Sequence, residues 1–185
     1  MPIIETIIPN ISTPINESRK DILTFFKYVN IPSDGIEIAT AIRNGTALAV
    51  SDSSVCPKSG IGTASWIMTN GMSDHQFCSG DHQVPKGNDK MHSYRGEVYG
   101  IFAILVTMER IIKLHNITSG KITVACDNLA GLRNALMHDN RAKTTHNCFD
   151  ILWAIQSIKM KFGQQFEFQK IPEWYTMYLK YEFLK

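Results

Sequence analysis

Apolar residues change their spacing near residue 46, and that change divides the chain. Ahead of it, Pro2, Pro9 and Pro14 interrupt a polar start, while Ile22, Phe25, Phe26 and Val29 recur at helical spacing. This pattern predicts a short helix over Glu17 to Val29 with one apolar face. Pro32 and Gly35 follow, so residues 1–45 read as a lead or linker segment that packs on, or connects to, something else. From Thr46 onward short apolar runs alternate with turn residues. Thr46 to Ser53 reads as a strand with Leu48, Val50 and Asp52 on one face, and Asp52 ends it. Cys56-Pro57-Lys58-Ser59-Gly60 is a turn, Thr63 to Met68 a second strand, and Asn70-Gly71 a second reversal. A third strand falls within Gln76 to Val84.

Val98, Ile101, Phe102, Leu105, Met108 and Ile112 form the strongest helical stripe, which predicts a helix from Tyr94 to about His115 with Glu97 in its first turn. Asn116 to Gly120 stops it. Ile122 to Cys126 is compact and β-branched, as a buried strand requires, and Asp127 lies at its carboxyl end. Leu129 to Met137 reads as a short helix, His138 to His146 as a polar loop, Phe149 to Phe162 as a helix and Phe166 to Ile171 as a last strand. The order βββαβ, then two helices and a strand, contains no internal repeat.

Short links make the first three strands an antiparallel meander. A right-handed crossover through the long helix then sets the Ile122 strand parallel to the first strand, on its free edge. Asp52 and Asp127 come side by side, and Glu97 approaches them from the helix that covers the sheet. Three carboxylates so gathered repel one another and call for a cation, and Mg²⁺ prefers carboxylate oxygen. Two such ions about 3.5 to 4 Å apart activate water against a phosphodiester. Each acid has a plainer reading too. Asp52 with Ser53 and Ser54 suits a side-chain-capped turn, Asp127 an N-cap for the next helix, and Glu97 a complement to the helix dipole. Their joint occurrence on these elements, in this order, favours the shared site.

Composition narrows the class without naming it. The chain of 185 residues, 44% hydrophobic, suffices for one ordinary core. The 19 basic against 17 acidic residues give a net charge of +2, too mild to announce a nucleic-acid binder by itself. Cys56, Cys78, Cys126 and Cys148 are widely spaced without a C-x-x-C pair, and no secretory h-region precedes them. Reduced thiols and an intracellular, cytoplasmic or nuclear, unsecreted protein are therefore expected. The apolar run Ile101 to Val106 is far shorter than the roughly 20 residues of a spanning helix, so no membrane partner is expected.

The phrases Ala-Val-Ser-Asp52-Ser-Ser, Ser-Tyr-Arg-Gly-Glu97-Val-Tyr-Gly-Ile and Val-Ala-Cys-Asp127-Asn-Leu-Ala-Gly-Leu resemble the first three acidic motifs of the ribonuclease H family, above all the domains joined to retrotransposon reverse transcriptases. The resemblance runs in order over residues 46–171. It implies an α/β fold with a mixed five-stranded sheet, antiparallel meander plus parallel strands, flanked by helices. It also implies hydrolysis of the RNA strand of RNA–DNA hybrids with two Mg²⁺ ions, or Mn²⁺ in their place, held by Asp52, Glu97 and Asp127. Origin in a larger reverse-transcriptase polyprotein goes with it. The family's fourth acid, on a helix after the last strand, and the His before it have no clear counterpart. Glu173 is the only acid near that place, directly after Pro172. The domain over 46–185 is thus expected to be atypical after 171, with its C-terminal helix incomplete or replaced. A catalytically weak or inactive nucleic-acid-binding remnant is the alternative.

Other residues carry less. His75, Cys78, His82 and His92 have zinc-ligand chemistry at no zinc-site spacing, and solvent-facing loop histidines account for them better. Cys126 reads as a small buried hydrophobe and Trp66 and Trp153 as core. Arg133, Arg141, Lys143, Lys159 and Lys161 read as solvated surface, with a subset available to phosphates.

Overall fold

A computed structural model describes residues 25, 27–71, 78–86, 91–136, 148–162 and 166–170. Among these residues six strands form one mixed sheet: β1 (Val29–Asn30), β2 (Ala47–Cys56), β3 (Ile61–Thr69), β4 (Cys78–Gln83), β5 (Gly120–Ala125) and β6 (Phe166–Lys170), in the order β1-β4-β3-β2-β5-β6. Among the described residues four α-helices accompany it: α1 (Ile36–Asn44), α2 (Ser93–Leu114), α3 (Leu129–Leu136) and α4 (Phe149–Phe162). The expected meander of β2, β3 and β4 is present, and β5 lies parallel to β2 on its other edge, with β6 parallel to β5. Thus the five predicted strands are present, the meander and the β2–β5 pairing are as expected, and β1 adds two residues antiparallel to β4.

Three local expectations are corrected. Val29 does not close a helix begun at Glu17: it pairs in β1, while residues 17–24 lie outside the described part. Asp52 does not end its strand. The β2–β3 ladder stays in register to Cys56↔Ile61 and turns only through residues 57–60, so Asp52 sits inside β2 opposite Ser65. Glu97 falls in the second turn of α2, because the helix already begins at Ser93, with the His92 ring accepting from the Arg95 amide at 3.2 Å.

Helix α1 carries no element in the sequence reading, yet it is bracketed by glycines in the left-handed region, Gly35 (φ 77) and Gly45 (φ 72). Both start and stop are conformations that L side chains resist. Ile38, Ala39, Ala41 and Ile42 of α1 are buried in the same core as α2. That core covers one face of the sheet, with Ala47, Ala49, Ala64, Trp66, Met68, Ile122 and Val124 beneath Val98, Ile101, Leu105 and Met108 of α2. A smaller cluster of Leu48, Val50, Ile67 and Ala125 lies on the other face. Strand β2 is therefore apolar on both faces, as a central strand should be.

Two polar groups expected at the surface are inside. Lys159 is buried, and its ammonium donates to the carbonyls of Ala135 (3.3 Å) and Leu136 (2.6 Å), which are last-turn acceptors of α3. His82 lies in β4 rather than in a loop, stacked on Phe25 with ring centroids 4.2 Å apart and near Trp66 at 6.5 Å. Burial, opposed by the Asp81 charge, pushes its pKa down to about 4 from the ordinary 6.5. A histidine so depressed favours the fold fully above its unfolded value and loses that contribution as pH falls from 6.5 towards 4. Stability is expected to drop by about 3 kcal/mol across that window, and His82→Phe to remove that part of the slope in urea melts at stepped pH. A slope unchanged by the substitution would contradict the assignment.

Candidate metal centre

The approach of α2 to β2 depends on what α2 lacks. A Cβ at Gly96 would stand 2.7 Å from the Ser53 Cβ, and one at Gly100 would stand 2.9 Å from the Ser51 Cβ. Two bare positions one helical turn apart thus seat the helix on the small residues of β2, and Glu97 follows Gly96 into the sheet surface. The start of α2 is also anchored sideways. Arg95, with its side chain 4% exposed, forks onto Asp150 at the start of α4 (Nη1–Oδ1 2.9 Å, Nη2–Oδ2 2.5 Å) and donates from Nε to the Pro85 carbonyl at 2.8 Å.

Glu97 is itself buried, and each of its oxygens accepts a hydrogen bond, one from a residue of β2 and one from the residue just after β5. Ser53 Oγ donates to Oε1 at 2.7 Å, and Cys126 Sγ donates to Oε2 at 3.0 Å. Asp127, exposed just beyond β5, completes a group in which one ligand atom each from Glu97, Cys126 and Asp127 lies within 4.8 Å of the others. Burial first, then the Glu97 and Asp127 charges, push the Cys126 pKa far upward. It remains a thiol that donates its proton. Asn128, next in line, caps α3 by accepting from the Gly131 amide at 2.8 Å, so the capping role read for Asp127 belongs to its neighbour.

Asp52 stands apart from that group. Ser51 and Ser53 face α2, so the pleat turns Asp52 to the face of Val50 and Leu48. Its Oδ1 accepts from the Ser53 amide at 2.8 Å. Continuing the β2–β5 register beyond Val50↔Ala125 brings Asp52 level with Asp127. The structure therefore brings Glu97 and Asp127 together and sets Asp52 on the neighbouring strand, while Glu173, Arg141, Lys143 and His75 lie outside the described residues. Ser53 and Cys126 had gone unrecognised as partners of Glu97. Their signal was alternation: both occupy the strand phase that faces the long helix.

No protein-family model and no curated protein sequence matches the chain. Solved structures do. LC11-RNase H1, isolated from compost by a metagenomic approach, is 14% identical with a TM-score of 0.50, over 75% of this chain and 92% of that one. The chain has a ribonuclease H-like fold. The N-terminal RNase H domain of rv2228c from Mycobacterium tuberculosis, solved as a fusion with maltose binding protein, is 15% identical (TM-score 0.44, 75% and 90% covered). Prototype foamy virus protease-reverse transcriptase is 11% identical (TM-score 0.43, 68% and 17% covered).

Within this ribonuclease H-like fold the donor set of the site suits a hard cation. The Cys126 thiol donates to Glu97, and the carboxylate oxygens of Glu97 and Asp127 are donors of the kind that Mg²⁺ or Mn²⁺ prefers. The zinc-type set weighed from the sequence finds no such grouping among the described residues. His82 is packed among aromatic rings and His92 caps α2. No helix among the described residues is long and apolar enough to cross a membrane, and none of the four cysteines is joined in a disulfide.

Proposed function

We propose that the chain is a divalent-metal-dependent nuclease that hydrolyses the RNA strand of RNA–DNA hybrids, with Glu97 and Asp127 as metal ligands and Asp52 as a third carboxylate beside them. The observation that carries this reading is the meeting of Glu97 and Asp127, 30 residues apart in sequence (127 − 97), at the end of β5. Two carboxylates so close repel each other, and a divalent cation relieves the repulsion. When bound, such an ion supplies charge neutralisation at the scissile phosphate and activation of water. The chain's own residues hold the carboxylates still: Glu97 through Ser53 and Cys126, and the start of α2 through Arg95 and Asp150. The three motifs further suggest derivation from a reverse-transcriptase polyprotein, with Mg²⁺ as the ordinary metal and Mn²⁺ as its substitute.

The test is direct. Purified chain with an end-labelled RNA in a hybrid is expected to cleave it with Mg²⁺ or Mn²⁺ and to stop when the metal is chelated, leaving double-stranded DNA intact. A second reading, a hybrid-binding module without turnover, is favoured by one observation: Asp52 does not join the Glu97 group. Binding without cleavage at any metal concentration selects it. In an active protein, Asp52→Asn is expected to abolish cleavage, and cleavage that survives removes Asp52 from the site.

A further inference from the structure

Glu97 is gripped on both oxygens by side-chain donors, one within β2 and one just past the end of β5. Ser53 belongs to β2 and Cys126 follows the last residue of β5, so the carboxylate bridges the parallel pair at the heart of the sheet. Each carboxylate oxygen offers about two lone-pair directions. A donor on each oxygen therefore fixes the plane of the group. The Ser53 hydroxyl also lies 3.3 Å from the Ser93 carbonyl, but the 2.7 Å contact to Glu97 is the shorter and takes its proton. Gly96 is what lets this happen, since a side chain there would displace Ser53 itself. A half-buried hydroxyl and a buried thiol aimed at one carboxylate have little reason to converge for packing alone, where alanine or valine would serve.

We infer that Ser53 and Cys126 are positioning residues for Glu97, orienting its carboxylate so that it and Asp127 present oxygen to the same cation. The inference rests on the reading of Glu97 as a metal ligand, and it deepens that reading by assigning partners that hold a ligand without touching the ion. Outer-shell hydrogen bonds of this kind alter metal affinity by about 10-fold to 100-fold when removed.

Calorimetric titration of Mn²⁺ into the full chain, with a thermal melt of each variant, tests it without any need for turnover. Ser53→Ala and Cys126→Ala are each expected to weaken Mn²⁺ binding by about 10-fold or more at little cost in melting temperature. Ser53→Thr and Cys126→Ser, which keep a donor, are expected to bind nearly as the parent does, an outcome that mere space-filling would not produce. Glu97→Gln is expected to lose the site. If Glu97→Gln loses it while both alanine variants bind normally, the positioning role is wrong and the ligand reading stands. If Glu97→Gln binds Mn²⁺ as the parent does, the ligand reading fails and the inference falls with it. Should one alanine variant not fold, the other decides.

Discussion

Asp127→Asn is expected to lower the rate of hybrid cleavage by about three orders of magnitude or more, a barrier increase of about 4 kcal/mol. The substitution keeps size and shape and removes only the charge that a divalent ion would meet. Because Asp127 is exposed and lies beyond the end of β5, the melting temperature should scarcely move. Single-turnover cleavage at saturating Mg²⁺ separates the two effects. The same change at Glu97 is less clean. Its oxygens both accept hydrogen bonds, and a Gln amide turns its nitrogen towards one of those donors. That mismatch costs about 1–3 kcal/mol of stability in addition to the lost activity. Parent-like cleavage by Asp127→Asn would remove the one acid of the pair whose replacement leaves the fold alone, and the proposed chemistry with it.

Asp150→Ala should be the most damaging single change away from the site. It strips the Arg95 guanidinium, almost wholly buried, of both of its carboxylate bonds and leaves it the Pro85 carbonyl and the Cys148 side chain. Breaking a fully buried pair costs about 3–5 kcal/mol, but the Asp150 side chain is 58% exposed, so water replaces part of what is lost. A loss of about 2–3 kcal/mol, or roughly 5–10 °C in melting temperature for a chain of this size, is the expected outcome. Replacing Arg95 by Met in the same protein should recover part of it, since the orphaned charge is then gone. Melts of the two single variants and the double variant decide the matter. Strict additivity, or an Asp150→Ala melt matching the parent, would mean that the pair does not anchor α2. Loosening here should also reach the carboxylates, because Arg95 lies two positions before Glu97 on the same helix.

Much of this architecture could be read from periodicity. The stripe from Val98 to Ile112 and the short β-branched run at Ile122 each commit to one kind of element, and the rules of chain connection then force β5 beside β2. Helix α1 escaped because it has only nine residues and its Ile36-Glu-Ile-Ala-Thr-Ala-Ile pattern also suits a strand. Only the glycines that bracket it would have marked its ends. The approach of Glu97 to Asp127 was legible in the order of elements, but the phase of β2 was not. The grouping of Leu48, Val50 and Asp52 on one face is what the structure has, yet the alternate positions, Ala47, Ala49, Ser51 and Ser53, are the ones beneath α2. A strand apolar on both sides gives no hint of which face a distant helix will choose. For that reason Ser53 went unread as the β2 residue bonded to Glu97. His82 and Lys159 were misplaced for a related cause. Residue type predicts exposure only until an aromatic stack or a helix end offers a polar side chain somewhere to go.

The short pairing of Val29–Asn30 with β4 has a practical bearing on how the protein is handled. A strand at the margin of a sheet presents unsatisfied amides and carbonyls that another copy can complete, and natural proteins cap such margins to stay monodisperse. Here the cap comes from sequence well upstream of the acidic motifs. Trimming the polypeptide to start at Thr46 would bare both the flank of β4 and the pocket left by Ile38 and Ile42. Aggregation of such a shortened form would therefore report on a missing lid for the sheet rather than on any fault in the nuclease-like half.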